Sequence, residues 1–147
     1  MKKLKKYKVG YTTGVFDMFH IGHLNILKRA KEQCDYLIVG VSTDELVREY
    51  KNKTPIIPYI ERKMIVESIR YVDQVVPQTS MDKMVAWSIY HFDVVFHGDD
   101  WKGSNMYDEI ERKLMEVGCE MVFLPHTDGI SSTILTNALH KIMNDSK

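Results

Sequence analysis

Thr12-Thr13-Gly14-Val15-Phe16-Asp17-Met18-Phe19-His20-Ile21-Gly22-His23 is the stretch that decides how the rest of this chain is read. A β-branched and aromatic run, Lys8 to Thr13, leads into it, and apolar residues at helical spacing (Ile21, Leu24, Leu27) lead out of it. It therefore reads as a turn from a buried strand into a helix beginning at His20. A helix start offers unpaired backbone N–H groups and the positive end of the helix dipole, the place where an α/β protein holds phosphates. His20 and His23, three residues apart, fall on one helical face and can reach the same polyphosphate. Gly14 and Gly22 let the backbone approach a ligand closely. As metal ligands the two imidazoles would need further partners at recognisable spacing, and Asp17 is the only nearby candidate, so no metal site is expected here.

Working outward, strand-like runs recur at Lys8 to Thr13, Tyr36 to Ser42, Asp73 to Val76, Asp93 to His97 and Glu120 to Leu124. Segments of helical period separate them: His20 to Gln33, Asp44 to Tyr50, Ile60 to Arg70, Met81 to His91, Tyr107 to Val117 and Ser132 to Met143. Strand and helix alternate from end to end, which predicts an α/β fold with a doubly wound, Rossmann-like parallel sheet of about five strands, in the order 3-2-1-4-5. No repeat, low-complexity tract or Gly/Ser linker interrupts the chain, so residues 1–147 read as one domain, with 1–7 a flexible basic arm.

The 147 residues carry 20 basic and 20 acidic side chains, so no global field favours nucleic acid or an anionic membrane, and any anion site must be local. Cys34 and Cys119 belong to no metal or redox spacing and read as reduced thiols. No apolar run approaches the roughly 18 to 20 residues of a membrane span, and the lysine-rich start lacks a signal peptide's apolar segment. A soluble, cytoplasmic protein is expected. Nine methionines mostly fall among other apolar residues at helical spacing, where they fill a core.

In an open parallel sheet, ligands bind beyond the carboxyl ends of the strands where strand order reverses. The polar clusters of this chain fall at such ends: Thr12 to His23 after the first strand, Gly98-Asp99-Asp100-Trp101 after the fourth, and His126 to Thr133 after the fifth. In the last of these, Gly129 permits a tight turn and Ser131 or Ser132 can cap the final helix, making a second helix start at the same end of the sheet. Lys51 to Pro58 joins two helices through two prolines and carries Lys51 and Lys53, which makes it a candidate lid.

Taken in order, Gly14-Val15-Phe16-Asp17 with His20-Ile21-Gly22-His23, Glu61-Arg62, Arg70-Tyr71-Val72-Asp73, Gly98-Asp99-Asp100-Trp101 and Thr127-Asp128-Gly129-Ile130-Ser131-Ser132 resemble the cytidylyltransferase family, over about Val9 to Ile142. The resemblance implies a nucleotidyltransferase version of the doubly wound sheet, a homodimer, and transfer of CMP from CTP to a small phosphorylated alcohol, glycerol 3-phosphate foremost. It implies that His20, His23, Lys53, Arg62 and Arg70 act in catalysis. Thr12, Gly14, Val15, Phe16, Gly22, Asp100, His126, Thr127, Gly129, Ile130, Ser131 and Ser132, with the two histidines, would line the nucleotide. Asp17, Asp44, Lys51 and Trp101, with Lys53, Arg62 and Arg70, would meet the acceptor. Magnesium would accompany the triphosphate. The chain departs from the family pattern at His126, where an arginine is common, and at Val15, where members acting on glycerol phosphate commonly have threonine.

A phosphate monoester has its second pKa near about 6, so the attacking oxygen is already ionised at neutral pH and needs no general base. Cationic and hydrogen-bonding groups that offset repulsion between two anions are then the expected inventory. The alternatives keep this chemistry with ATP, phosphocholine, phosphoethanolamine or a sugar phosphate, or reduce the chain to a nucleotide-binding module.

Overall fold

The computed structural model describes residues 5–98, 105–125, 127 and 129–145. Five strands, β1 (Tyr7–Gly14), β2 (Cys34–Ser42), β3 (Gln74–Gln78), β4 (Val94–Gly98) and β5 (Glu120–Leu124), form one sheet in the order β3-β2-β1-β4-β5. Every pairing is parallel. Among the described residues six helices accompany them: α1 (Ile21–Gln33), α2 (Asp44–Lys51), α3 (Tyr59–Glu67), α4 (Lys83–Tyr90), α5 (Asn105–Glu116) and α6 (Ser132–Asp145). The predicted strand order is thus the observed one, and the reversal lies between β1 and β4, where Thr12 pairs with Phe96.

Period-two alternation places the core on both faces of the sheet. Leu37, Val39, Val41, Val94 and Phe96 pack with Leu27 and Ala30 of α1 and Val66 of α3. Ile38, Val76 and Val95 turn the other way and pack with Leu114 of α5 and, at its edge, Met84 and Trp87 of α4. A sheet covered on both faces needs near-continuous apolar strands, which is what β2 and β4 supply.

The differences from the sequence reading are local. β3 continues through Pro77, which an interior strand would not tolerate, because β3 is the edge strand and its outer N–H positions need no partner. α3 stops at Glu67, short of Arg70, and α4 begins at Lys83 behind an Asp82 cap that accepts the Met84 N–H. α2 ends at Lys51, capped by Asn52 with a left-handed φ of 54°, and the prolines at 55 and 58 keep the loop irregular until α3. Among the described residues no helix is long and apolar enough to cross a membrane.

Candidate active site

His20 lies just outside α1 as its cap, where the sequence pattern expects the first helical residue. The Gly22 N–H donates to His20 Nδ1 at 3.0 Å, and the His20 backbone N–H donates to His23 Nδ1 at 3.3 Å. This is the reciprocal arrangement usually made by Ser/Thr and Glu, here built from two imidazoles. The rings stack with centroids 3.9 Å apart. A Cβ on Gly22 would meet the His20 ring at 2.8 Å, so only glycine leaves that ring in place.

The cap also fixes the tautomers. Each Nδ1 accepts a hydrogen bond, so in each neutral ring the proton sits on Nε2, and both side chains present an N–H donor. His20 Nε2 is buried and has no hydrogen-bond partner among the described residues. Burial lowers the His20 pKa. Burial, followed by the neighbouring His20, lowers that of His23 to about 4. In the free protein at neutral pH the pair is therefore two neutral N–H donors rather than two cations.

The turn before this cap is conformationally costly. Phe16 and Met18 take positive φ values of 55° and 47°, which non-glycine residues rarely adopt. Buried Phe16 packs against Phe19 and His23, holding the turn shut. Asp17 ties three segments together. Its carboxylate accepts the N–H groups of Ile56 and Ile57 at 2.8 and 2.9 Å, and its carbonyl accepts the Ser132 hydroxyl at 2.6 Å. Ser131 caps α6, accepting from the Ile134 N–H. Asn25 of α1 donates to the Thr127 hydroxyl at 2.9 Å.

These elements enclose a cavity of about 540 Å³ at the carboxyl ends of the strands. Of the predicted residues, Thr12, Gly14, Val15, Phe16, Asp17, His20, Gly22, His23, Lys51, Lys53, Thr127, Ile130, Ser131 and Ser132 line it. Gly129 forms the turn below it, with a φ of +80° that favours glycine. Asp100, Trp101 and His126 lie outside the described residues.

Besides Gly129, three predicted residues among the described ones, Asp44, Arg62 and Arg70, do not line the cavity. The Arg62 guanidinium is wholly buried: its Nε donates to Ile57 O, Nη1 to Val15 O and Ser42 O, and Nη2 to the Asp44 carboxylate at 2.7 Å. Asp44 is held by that pair and by the Tyr59 N–H. The expectation that Arg62 and Asp44 meet substrate is therefore corrected to a positioning role, because every acceptor around this guanidinium belongs to the chain itself. Arg70 is exposed, with its guanidinium on the Tyr71 ring and hydroxyl.

Among the polar lining residues not singled out from the sequence are Ser42, Tyr50, Gln78, Lys83 and His97. Ser42, Gln78 and His97 sit at or beside the carboxyl ends of β2, β3 and β4, and applying the strand-end rule to single residues as well as to clusters would have found them. Lys83 gave no such signal, since a lone lysine opening a helix reads as solvated. Its side chain is buried, and its ammonium donates to Thr13 Oγ1 at 2.8 Å.

Buried imidazoles make stability depend on pH. Burial and then Lys83 lower the His97 pKa to about 3, and His23 is lowered to about 4, against an unfolded value near 6.5. Between these limits the unfolded chain binds protons that the native chain refuses, so stability is full above about pH 6.5 and is lost as pH falls through that window. The urea midpoint is expected to drop from pH 7.5 to pH 5. An unchanged midpoint would place these rings in water.

Residues 11–138 match the cytidylyltransferase-like family, nearly the whole length of the chain. The chain belongs to that family. This cytidylyltransferase-family chain is 43% identical over 123 residues to glycerol-3-phosphate cytidylyltransferase of Bacillus subtilis, covering 83% of this chain and 89% of that one. It is 33% identical over 131 residues to the ethanolamine-phosphate cytidylyltransferase of Mus musculus, covering 86% of this chain and 31% of that longer one. Among solved structures it is similar to a lipopolysaccharide core biosynthesis protein from Thermoplasma volcanium, with a TM-score of 0.69 and 26% identity over 82% of this chain and 97% of that one.

Proposed function

We propose that this chain transfers CMP from CTP to glycerol 3-phosphate, giving CDP-glycerol and pyrophosphate. The observation that carries this reading is the pair of Nε2–H donors locked by the reciprocal cap at the mouth of a cavity shared by β1, the Lys51 loop and the α6 start. The named activity of the Bacillus subtilis relative supports the choice of nucleotide and acceptor.

In the reaction, an ionised phosphate oxygen of the acceptor attacks the α-phosphorus of CTP. The new O–P bond forms as the bond to the β-phosphate bridging oxygen breaks, and pyrophosphate leaves with that electron pair. No proton need be abstracted. His20 and His23 direct their N–H groups at the charge growing on the transferring and departing phosphates. Lys51 and Lys53 sit on the rim of the cavity, and their charges offset repulsion between two anionic substrates. Burial, and then Lys53, lowers the Lys51 pKa, a strain that an arriving phosphate relieves.

The donor set fits a magnesium ion carried in on the triphosphate. Asp17 is the carboxylate lining the cavity among the described residues, and both its oxygens already accept backbone N–H groups. Phosphate oxygens and water would thus make up most of the coordination, and the ion would supply neutralising charge. Two family implications are carried as part of this proposal: pairing of two copies, read by light scattering, and a cytoplasmic place in supplying activated alcohols to a wall or capsule polymer.

Pyrophosphate release tests the proposal, with CTP or ATP offered against glycerol 3-phosphate, phosphoethanolamine, phosphocholine and sugar phosphates. The expected result is turnover with CTP and glycerol 3-phosphate. Turnover with ATP alone would overturn the cytidylyl assignment, and CTP binding without turnover on any acceptor would reduce the chain to a binding module.

A further inference from the structure

The cavity divides along the sheet. Toward β5 it is walled by hydroxyl groups of the α6 start, and toward β2 and β3 by Ser42, Tyr50, Gln78 and Lys83. The triphosphate donors His20 and His23 belong to the first half, beside Ile130, whose side chain lies against Gly22. The second half lies away from those donors. Its floor is chemically unusual. Lys83 is 4% exposed, and its ammonium meets Thr13 Oγ1, leaving two of its three N–H donors uncommitted among the described residues. Across β1, on β4, His97 is 7% exposed and close enough to Lys83 to feel its charge; its buried Nε2 has no hydrogen-bond partner among the described residues, and its ring packs on Tyr107. Gln78 brings no free carboxamide oxygen, since that atom accepts the Ser42 hydroxyl at 2.7 Å.

Buried polar groups without partners are costly unless a ligand supplies them, so this floor is built for something that hydrogen-bonds to it. The sign of the charge decides what. An ammonium on the floor, with no carboxylate against it or His97 among the described residues, favours hydroxyl oxygens and opposes a second cation. We propose that Lys83 and His97 form the subsite for the alcohol end of the acceptor, selecting a neutral, hydroxyl-bearing chain and excluding acceptors with a cationic head. Burial lowers the Lys83 pKa to about 8, which leaves the side chain largely charged at neutral pH, and His97 stays neutral beside it. The floor thus carries one positive charge and one adaptable imidazole.

This inference rests on the proposed cytidylyl transfer, and the test separates the two. Wild type, Lys83→Met, Lys83→Gln and His97→Phe are assayed with CTP against glycerol 3-phosphate and phosphoethanolamine, with CTP binding and thermal melts recorded for each. Wild type is expected to favour glycerol 3-phosphate in kcat/KM by about a hundredfold or more. In Lys83→Met the KM for glycerol 3-phosphate rises about tenfold with kcat within about threefold, and the preference falls by at least about tenfold. Lys83→Gln, which keeps a donor for Thr13, folds as wild type and loses the same discrimination. His97→Phe raises KM for glycerol 3-phosphate with CTP affinity unchanged. A folded Lys83→Met or Lys83→Gln with the wild-type preference overturns this inference and leaves the reaction standing. No turnover of CTP by wild type overturns the reaction itself. A wild type that prefers phosphoethanolamine overturns both the acceptor assignment and the inference.

Discussion

Replacing His20 or His23 by alanine is expected to lower kcat about a hundredfold or more, the size of effect seen when one donor to transition-state charge is removed. Both side chains also cap α1, so alanine removes two things at once: the donor, and a cap whose loss costs about 1 kcal/mol. Conservative variants separate them. His20→Asn keeps an acceptor for the Gly22 N–H, and His23→Gln restores the usual partner of a capping box. Each should melt close to wild type and still turn over about as slowly as alanine, because neither places an N–H where the imidazole Nε2 lies. Near-normal turnover in folded His20→Asn would reduce this pair to a helix cap.

Arg62→Met is expected to destabilise the fold by about 3 to 5 kcal/mol, because it removes one member of a buried ion pair and strands its partners. The Asp44 carboxylate and the carbonyls of Val15, Ser42 and Ile57 would each lose a donor in one step. For a chain of this length that corresponds to a drop in Tm of roughly 10 °C. Arg62→Lys should recover little, since a single ammonium cannot span acceptors arranged for a planar fork. Activity falls in these variants because the 56–57 segment and the Val15 turn lose their common anchor. CTP binding measured well below the melting temperature should survive. A variant that melts within about 2 °C of wild type yet fails to bind would return Arg62 to the substrate.

The sequence reading succeeded where one local rule dominates. Apolar runs of five to nine residues between amphipathic segments define β1 to β5, and right-handed crossovers leave few orders for them. The glycine-flanked histidine motif and the Ser131 cap were legible for the same reason: helix starts have local chemistry. Roles set by tertiary partners were not. Arg62 matches a family motif, but only the folded chain reveals that its acceptors come from residues 15, 42, 44 and 57. Lys83 opens α4 as any solvated lysine might, and its burial follows from Thr13, seventy residues away. The charge state of His20 and His23 was not legible either, because sequence gives a residue type, whereas the protonation state depends on burial.

The Ser132 to Asp17 hydrogen bond joins positions 115 residues apart. Contacts so distant along the chain form late, because the entropy of closing the intervening loop must be met before they contribute. Ser131, Ser132, Thr133 and Thr136 at the start of α6 complete the crevice that the five strands open. The wall of the crevice is thus joined by one of the longest-range side-chain hydrogen bonds of the fold, and it depends on the whole sheet being in place rather than on any local segment.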